Sequence, residues 1–379
     1  MRKPERIRNI CIAAHIDHGK CISPSARVCL WDGRFVEAEK LFNSYKSLGK
    51  IVKSSEDETV VDVSNLNIYV NSFSRDEGRI VRGKITHLWK LRKTEPLVEV
   101  EVENGRKIKT TPEHKYFVLD RKGNIAEKKA EELKEGDVLV LANYLDYAPL
   151  SLKEMKKEIL DRLSRDYNFC VKLREDFAKG LWESIKRRRV VEVWKKIGSK
   201  IGYRGVIDSW KKGIFRLSDY LKLCSIFNLS DYEQIYDNIE YIWYRNLGKK
   251  GKSTKSSKKI FLPKTKEEFK EFFWLVGLLF GDGSKANLFS SDPEIHKKVK
   301  DVVEKVLKTN FILRKFRDRV PRMKMGGKTF LFILHRLFDY PLKSKARNLR
   351  INSFVQRLER EFLASFLRGC FDADGGVEK

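Results

Sequence analysis

Cysteine is scarce in this sequence and never clustered. The 379 residues contain six cysteines, at positions 11, 21, 29, 170, 224 and 370, and none forms a CxxC pair. This spacing argues against a zinc site and a disulfide framework, and it predicts reduced thiols in a cytoplasmic protein. Long apolar runs are also missing. The longest uncharged one near the start, Ile10 to Ala14, is too short for a signal peptide or a membrane span, so we expect no membrane partner.

Acidic residues are few relative to basic ones. The chain has 52 Asp and Glu against 79 Lys and Arg, a formal net charge of +27. Such a balance favours a polyanionic partner, most simply nucleic acid. A charged surface adapted to heat is the alternative, although heat adaptation enriches charges of both signs. The length suggests two or three domains, and 41% hydrophobic residues suffice for real cores.

The hydrophobic pattern changes along the chain. Residues 21–145 alternate short apolar runs with turn signals such as Asn104-Gly105, which is typical of an all-β domain. Within it, Val98–Val102 alternates strictly and Val138–Leu141 is interpreted as a buried strand. From residue 151 to 245 the apolar spacing becomes helical and basic residues are dense.

A basic, low-complexity linker precedes a last region that mixes helix and strand. In that region Asp292-Pro293 predicts a capped helix start, and Val299, Val302, Val303 and Val306 its apolar stripe. The predicted domains are residues 1–20, 21–147, 148–247, the linker 248–264, and 265–379.

The first twenty residues lead into a phosphate-binding loop that is interrupted. Ala14-x-x-x-x-Gly19-Lys20 has the residues that cradle phosphates, but the next position, where Ser or Thr would hold Mg²⁺, is Cys21. The residues that follow do not continue as the expected helix. The pattern indicates that one protein has been inserted into another.

Cys21 follows directly on the Lys20 carbonyl, so its thiol can attack that carbonyl and convert an amide into a thioester. The departing nitrogen then needs a proton. Thr111-Pro112-Glu113-His114, between two strand-like runs, supplies a candidate donor. Cys29, Cys170 and Cys224 are interpreted as core thiols, and the histidines at positions 87, 296 and 335 as structural or exposed.

These residues carry two resemblances. Residues 1–20 resemble the start of the archaeal elongation factor 2 family of GTPases. Cys21, Thr111-x-x-His114 and Ala130–Val138 resemble an intein, a self-splicing insert with the all-β Hint fold. The resemblance implies that His114 protonates the Cys21 nitrogen and that Thr111 holds or strains the scissile bond. It implies splicing without a cofactor, and GTP binding at Gly19 and Lys20 only in the spliced host.

Two nonapeptides, Leu275–Gly283 and Leu367–Gly375, are copies of one pattern. Each predicts the end of an apolar helix whose small residues allow close helix packing. Each helix would end in an aspartate, Asp282 or Asp374, and two such carboxylates brought together would repel unless a cation such as Mg²⁺ lay between them.

The copies resemble the LAGLIDADG motif of homing endonucleases, which have an α/β fold. That resemblance makes both aspartates metal-binding and catalytic, and aligns Lys345 with an assisting lysine; Lys343 is the near alternative. Residues 148–247 are predicted to be a helical, basic insert. A helix over Val190–Ile201, a turn at Gly202 and a helix over Arg204–Lys212 would form a DNA-reading helix-turn-helix. A helical packing domain with a basic face is an equal alternative.

The chain stops at Lys379 without the His-Asn terminus of an intein. We expect a fragment, or a split gene with a C-terminal intein piece as partner, that is inactive alone. The predicted whole is an elongation-factor-2-type precursor carrying a splicing and endonuclease intein. The predicted DNA partner is the uninterrupted host gene. The alternatives are a GTP-binding GTPase fragment and a non-catalytic DNA-binding remnant.

Overall fold

The computed structural model describes residues 21–74, 77–91, 97–142, 147–245, 258–343 and 345–374. Packing divides the chain into unit 1, Met1–Pro149, and unit 2, Leu150–Lys379. Along this described part, no helix is long and apolar enough to cross a bilayer.

Unit 1 is built from short antiparallel strands. They are β1 (Arg27–Cys29), β2 (Phe35–Glu37), β3 (Lys50–Ser54), β4 (Glu58–Asp62), β5 (Tyr69–Ser74), β6 (Arg79–Lys84), β7 (His87–Leu91), β8 (Val98–Glu101), β9 (Lys107–Thr110), β10 (Lys115–Leu119) and β11 (Ile125–Lys129), with helix α1 (Ala38–Lys46) between β2 and β3. The sheets are β1–β2, β3–β4–β7, β5–β6, β8–β9 and β10–β11. The predicted Asn104-Gly105 turn joins β8 to β9, and Gly105 has φ +77°, a backbone angle that favours glycine.

Within the described residues of 21–145, the all-β prediction holds apart from α1, whose Leu41 and Phe42 enter the core of unit 1, and two 3₁₀ turns, Ser64–Leu66 and Ala130–Glu132. The buried strand predicted over Val138–Leu141 is wrong. Only Leu139 forms a bridge, to Val118 in β10, and Val138 is 56% exposed. The run follows β10 through isolated hydrogen bonds, and no described layer covers its outer side chains.

Unit 2 mixes helices and strands. Its helices are α2 (Leu152–Ser164), α3 (Glu175–Arg187), α4 (Val190–Ile197), α5 (Tyr203–Lys211), α6 (Leu217–Ile226), α7 (Tyr232–Asp237), α8 (Lys266–Asp282), α9 (Pro293–Asp301), α10 (Gly327–Phe338), α11 (Lys345–Asn348), α12 (Ser353–Gln356) and α13 (Arg360–Asp374). Its strands are β12 (Phe169–Leu173), β13 (Ile214–Arg216), β14 (Ile239–Tyr244), β15 (Gly283–Ser284), β16 (Asn287–Phe289), β17 (Phe311–Arg314) and β18 (Arg322–Met325). They form the antiparallel sheets β13–β12–β14 and β15–β16–β18–β17.

The helical prediction for residues 148–247 missed the sheet β13–β12–β14. Its central strand β12 buries Phe169, Cys170 and Val171 in succession, so it lacks the alternation that marks a half-exposed strand. The helix predicted over Val190–Ile201 ends earlier, at Ile197, because Gly198 takes φ +64° and terminates it.

One hydrophobic core runs through unit 2, on both sides of the predicted linker. Tyr244 stacks on Phe332 at 4.0 Å between ring centroids. Ile242 bridges Ile260, a buried residue at the end of the linker, while linker residues up to 257 lie outside the described structure. The division into 148–247 and 265–379 stays a prediction about modules, since the two regions share their packing.

Helix starts in unit 2 follow their capping residues. Thr265 and Glu268 form a reciprocal capping box at the start of α8. Asp292 caps α9, which begins at Pro293 as predicted. Val299 on α9 is buried, and a π-helical turn, Val302–Val306, continues the predicted apolar stripe.

Candidate functional site

Backbone pairing fixes Cys21 beside the end of β9. Ile22 forms a bridge with Thr110, and the Ser23 N–H donates to the Lys109 carbonyl at 2.8 Å. Cys21 therefore enters the fold as a short strand extension opposite β9, and it lies next to the first residue of the predicted Thr-x-x-His turn.

Thr111 holds the Cys21 residue at both ends. Its hydroxyl oxygen accepts a hydrogen bond from the Cys21 backbone N–H at 3.1 Å, and its own backbone N–H donates to the Cys21 carbonyl at 3.0 Å. Thr111 is only 3% exposed. The predicted partners Thr111 and Cys21 are thus brought together, at the nitrogen that would leave when the preceding bond breaks.

His114 closes the same turn and is locked within it. Its N–H donates to the Thr111 carbonyl at 3.0 Å, and its carbonyl accepts from Ala130 N–H at 2.8 Å. The residue is 6% exposed, and its ring meets the Tyr116 ring edge-on with 5.2 Å between the ring centroids. The Tyr116 hydroxyl in turn lies 3.1 Å from the Thr110 hydroxyl, and burial raises the pKa of Tyr116. The imidazole is therefore desolvated and fixed three residues from Thr111.

The host side of the junction lies outside the described residues. This applies to the phosphate-loop residues Gly19 and Lys20 and to the histidines at positions 15 and 18. It also applies to Gly375, the last residue of the second nonapeptide.

Both nonapeptides form the C-terminal ends of helices, α8 and α13, that pack in direct backbone contact. A Cβ built on Gly277 would lie 2.0 Å from the Phe366 carbonyl oxygen, and one on Gly369 would lie 2.0 Å from the Trp274 carbonyl oxygen. Atoms cannot approach so closely, so only glycine permits this crossing. The predicted close packing of the two helices is confirmed.

The crossing brings Asp374 against the end of α8. A Cβ built on Gly281 would lie 2.9 Å from the Asp374 Oδ2 atom, and Asp282 is the next residue. Partial burial, and then the negative charge of Asp374, raise the pKa of Asp282. The carboxylates are therefore close enough to repel one another, as the sequence predicted.

Lys345 reaches this carboxylate pair, whereas Lys343 is exposed. The Lys345 ammonium donates to the Gly281 carbonyl. Burial lowers the pKa of Lys345, while Asp374 and Asp282 act in the opposite direction. Of the two lysines left open by the sequence, the structure places Lys345 at the pair.

Sequence reasoning missed a polar contact across the same helix pair. The Trp274 indole N–H donates to Asp372 Oδ2 at 2.7 Å, and the Lys298 ammonium lies 3.8 Å from the Trp274 ring centroid. A difference between the two nonapeptides could have indicated this contact, because Asp372 in the second copy corresponds to Phe280 in the first. Its partner on the other helix was not deducible from spacing.

Three of the cysteines and two of the histidines that were interpreted as structural have clear surroundings in the described residues. Cys29, Cys170 and Cys224 are buried; burial raises the pKa of Cys29 to about 11. His296 and His335 bond to the carbonyls of Ser290 and Tyr340. The described residues contain no group of three or more His, Cys, Asp or Glu side chains that could hold a metal ion.

Comparisons with known proteins show a similarity to inteins. Residues 32–308 match the family described as the intein splicing domain. Over all 379 residues, the chain is 40% identical to "Elongation factor 2" from Methanopyrus kandleri. The alignment covers 100% of this chain and 29% of that protein. Over 371 residues, or 97% of this chain and 28% of that protein, it is 28% identical to "Probable translation initiation factor IF-2" from Methanocaldococcus jannaschii. The chain thus spans under a third of these relatives.

Solved structures of inteins also match part of the chain. The crystal structure of the TvoVMA intein aligns with a TM-score of 0.30 and 31% identity, over 36% of this chain and 73% of that one.

Proposed function

Because the chain belongs to the intein splicing domain family, we propose that it is an element of autocatalytic protein splicing in which Cys21 performs the first step. The Cys21 sulfur attacks the Lys20 carbonyl carbon, a C–S bond forms, and the bond from that carbon to the Cys21 nitrogen breaks. The thiol gives up its proton and the departing nitrogen gains one, so the products are a thioester and an amine. The paired hydrogen bonds between Thr111 and Cys21 are the observation that carries this proposal.

Thr111 and His114 divide the remaining work. Thr111 fixes the Cys21 N–H and carbonyl, so the leaving nitrogen is oriented before the reaction. His114, buried in the same turn, is assigned as the general acid that protonates this nitrogen. No cofactor is needed for this step, because the nucleophile and the proton donor are both side chains of the chain.

Thiolysis tests the splicing proposal. Dithiothreitol should intercept the thioester and release residues 1–20, detected by mass spectrometry. Cys21→Ala should release nothing, whereas Cys224→Ala, which removes a buried thiol of unit 2, should behave as the parent. Release of residues 1–20 from Cys21→Ala would overturn the proposal. It would also be overturned if the parent released no such peptide even after addition of a C-terminal intein piece ending in His-Asn-Thr.

We infer that the host is an elongation factor 2. The interrupted phosphate loop and the 40% identity to a protein of that name support this assignment. Gly19 and Lys20 would then bind GTP only in the spliced host, which makes a GTPase activity of this chain itself the weaker alternative.

We also propose that unit 2 cleaves double-stranded DNA, with Asp282, Asp374 and Lys345 at the reacting phosphates. The close crossing at Gly277 and Gly369 supports this, because it places two repelling carboxylates together where a cation would relieve the repulsion. Mg²⁺ suits two carboxylates and takes its other ligands from water and phosphate. When bound, it would stabilise negative charge on the phosphate being attacked. The adjacent carboxylate pair separates this proposal from a non-catalytic DNA-binding remnant.

The exposed face of the sheet β15–β16–β18–β17 supports DNA binding. Leu288 and Met323 point into the core, so their neighbours along each strand point outward. The register puts Lys324 between Asn287 and Ile312 in one outward row, and Arg322 between Phe289 and Arg314 in the next. Such a face presents cations to phosphates and polar side chains to base edges.

Plasmid cleavage tests the endonuclease proposal. The completed precursor should cut a plasmid bearing the uninterrupted host gene in the presence of Mg²⁺, and spare one bearing the insert. Asp282→Asn and Asp374→Asn should lose cutting and keep binding. Asp301→Asn, which changes an ion-paired aspartate on α9, is the matched control. Full cutting by either of the first two variants would exclude that aspartate as a metal ligand.

A further inference from the structure

A basic cleft in unit 2 lies where α3 ends and α4 begins, and neither activity above uses it. The cleft has a volume of about 490 Å³, and its charged lining residues are Arg187, Arg188, Arg189, Lys196 and Glu192. Four cations face one carboxylate, which leaves a net charge of +3. The residues come from one short stretch of chain, so the charge is concentrated on one side of the unit.

Most of this charge is not neutralised within the unit. The side chains of Arg187 and Lys196 make no ion pair or hydrogen bond with any residue that the structure describes. Arg189 approaches Glu192 only to 3.6 Å, with both side chains exposed, a pair worth little in water. Arg188 is held in place, since it donates to the Ile226 carbonyl at 3.0 Å and lies 5.0 Å from the Phe227 ring.

The backbone at Arg189 is strained. Its φ of +59° is positive, which glycine adopts readily and other residues rarely do. Glycine would be the relaxed choice at this connection. A change of Arg189 to glycine therefore removes the charge while relaxing the backbone, which separates the role of the charge from that of the fold.

We propose that this cleft binds neighbouring phosphates of a nucleic-acid backbone, without reading its sequence. Guanidinium groups match phosphate oxygens in geometry and charge, and contacts to phosphate position a protein without specifying bases. The cleft's excess charge makes a polyanion a better occupant than a neutral ligand. The proposal rests on the proposed DNA cleavage only for its choice of duplex DNA as the natural polyanion.

A pair of strained basic residues gives a matched test on the full chain. Lys308 has φ +44° and lies outside the cleft. Arg189→Gly and Lys308→Gly each remove one charge and relax one backbone position. Binding of a fluorescent duplex of random sequence would be followed by anisotropy over a range of NaCl concentrations.

Arg189→Gly should reduce the slope of log affinity against log salt by about 1, as expected for one lost phosphate contact. Its melting temperature should be unchanged or higher. Lys308→Gly should leave the slope as it is. Equal slopes for the two variants would overturn the proposal.

A charge-matched pair of double variants extends the test. Arg187→Gln with Lys196→Gln should lower the slope by about 2. Lys179→Gln with Lys305→Gln, which removes two exposed, ion-paired lysines, should lower it less. Inorganic pyrophosphate is the competitor: displacement of the duplex at equal phosphate concentration would mean a small-anion site and would overturn the backbone assignment.

The two proposals fail separately. Binding of a random duplex needs neither a cleavage site nor Mg²⁺. If the cleft variants change the slope of log affinity against log salt but the protein never cuts DNA, the endonuclease proposal is wrong and the proposal for the cleft stands. If DNA cutting is normal and the cleft variants leave the slope unchanged, the proposal for the cleft is wrong and the endonuclease proposal stands.

Discussion

The two candidate sites of this molecule are assembled by opposite means. In unit 1, Cys21 is held by hydrogen bonds to Thr111, and His114 follows in the same turn. In unit 2, Asp282 and Asp374 lie on separate helices that meet because side chains are absent at Gly277 and Gly369. The first site depends on polar contacts that are present, and the second on steric bulk that is missing.

This difference determines how each site should fail. A hydrogen-bonded turn loses one contact at a time, so its variants should lower the rate in steps while the fold persists. A close helix crossing is a packing arrangement with no room to adjust, so one added methyl group should damage stability and activity together. Variants at the two sites can distinguish these two modes of failure.

His114→Ala should slow thiol-induced cleavage at the Lys20–Cys21 bond by ~10²–10⁴-fold, the range for loss of a general acid. The melting temperature should fall only modestly, since the backbone hydrogen bonds of His114 to Thr111 and Ala130 do not depend on its side chain. Cleavage rates come from mass spectrometry over time. A rate within twofold of the parent would remove His114 from the mechanism.

Gly277→Ala should destabilise unit 2 by about 1–3 kcal/mol or more and abolish any DNA cutting. The new methyl group would meet the Phe366 carbonyl, which is backbone and cannot move aside. Gly180→Ala on α3 is the control. Nothing lies within 4 Å of its added methyl, so it should stabilise by about 0.5–1 kcal/mol. Denaturant unfolding measures the change in the free energy of unfolding for each variant. A change of the same sign in both variants would contradict the predicted steric clash at Gly277.

Thr111→Val should slow the same cleavage by roughly fivefold to tenfold, because one hydrogen bond to the Cys21 nitrogen is worth about 1 kcal/mol net. Thr110→Val removes a neighbouring buried hydroxyl that faces Tyr116 instead. That control should lose some stability and keep the cleavage rate. Parallel losses of rate in the two variants would indicate that Thr111 acts only through the fold.

Asp282→Asn should raise the melting temperature slightly at neutral pH with a chelator present, and the gain should vanish in acid. Burial and Asp374 raise the folded pKa of Asp282, with Lys345 opposing them, so its stabilising contribution is complete below the unfolded pKa of about 3.9. That contribution is lost as pH rises through the folded pKa. Asp301→Asn breaks a surface ion pair and should show no such gain. Thermal melts at stepped pH decide this.

Many of the candidate site residues could be predicted from the sequence, because they are marked by particular residue types at short spacing. Thr111 and His114 are three positions apart on a strand–turn–strand pattern, and each nonapeptide ends its own helix. Asp292-Pro293 likewise marked the start of α9. Such signals are local, and local backbone preferences decide them.

Other features were decided only by tertiary packing. Strand β12 is buried on both faces and carries no alternation, so helical neighbours concealed it. Val138 is exposed although its sequence is that of a core strand. Burial depends on which layers cover an element, and the sequence of an apolar run does not specify which segments will pack against it.

The same distinction applies at the sites. Residue types and spacing were enough to predict that Cys21 can act as a nucleophile and that Asp282 and Asp374 end two helices. The tertiary structure alone paired Trp274 with Asp372 across 98 positions and placed Lys345, not Lys343, beside the two aspartates. The physical reason is that composition and spacing set what a residue can do, whereas the partner it meets depends on how distant segments pack.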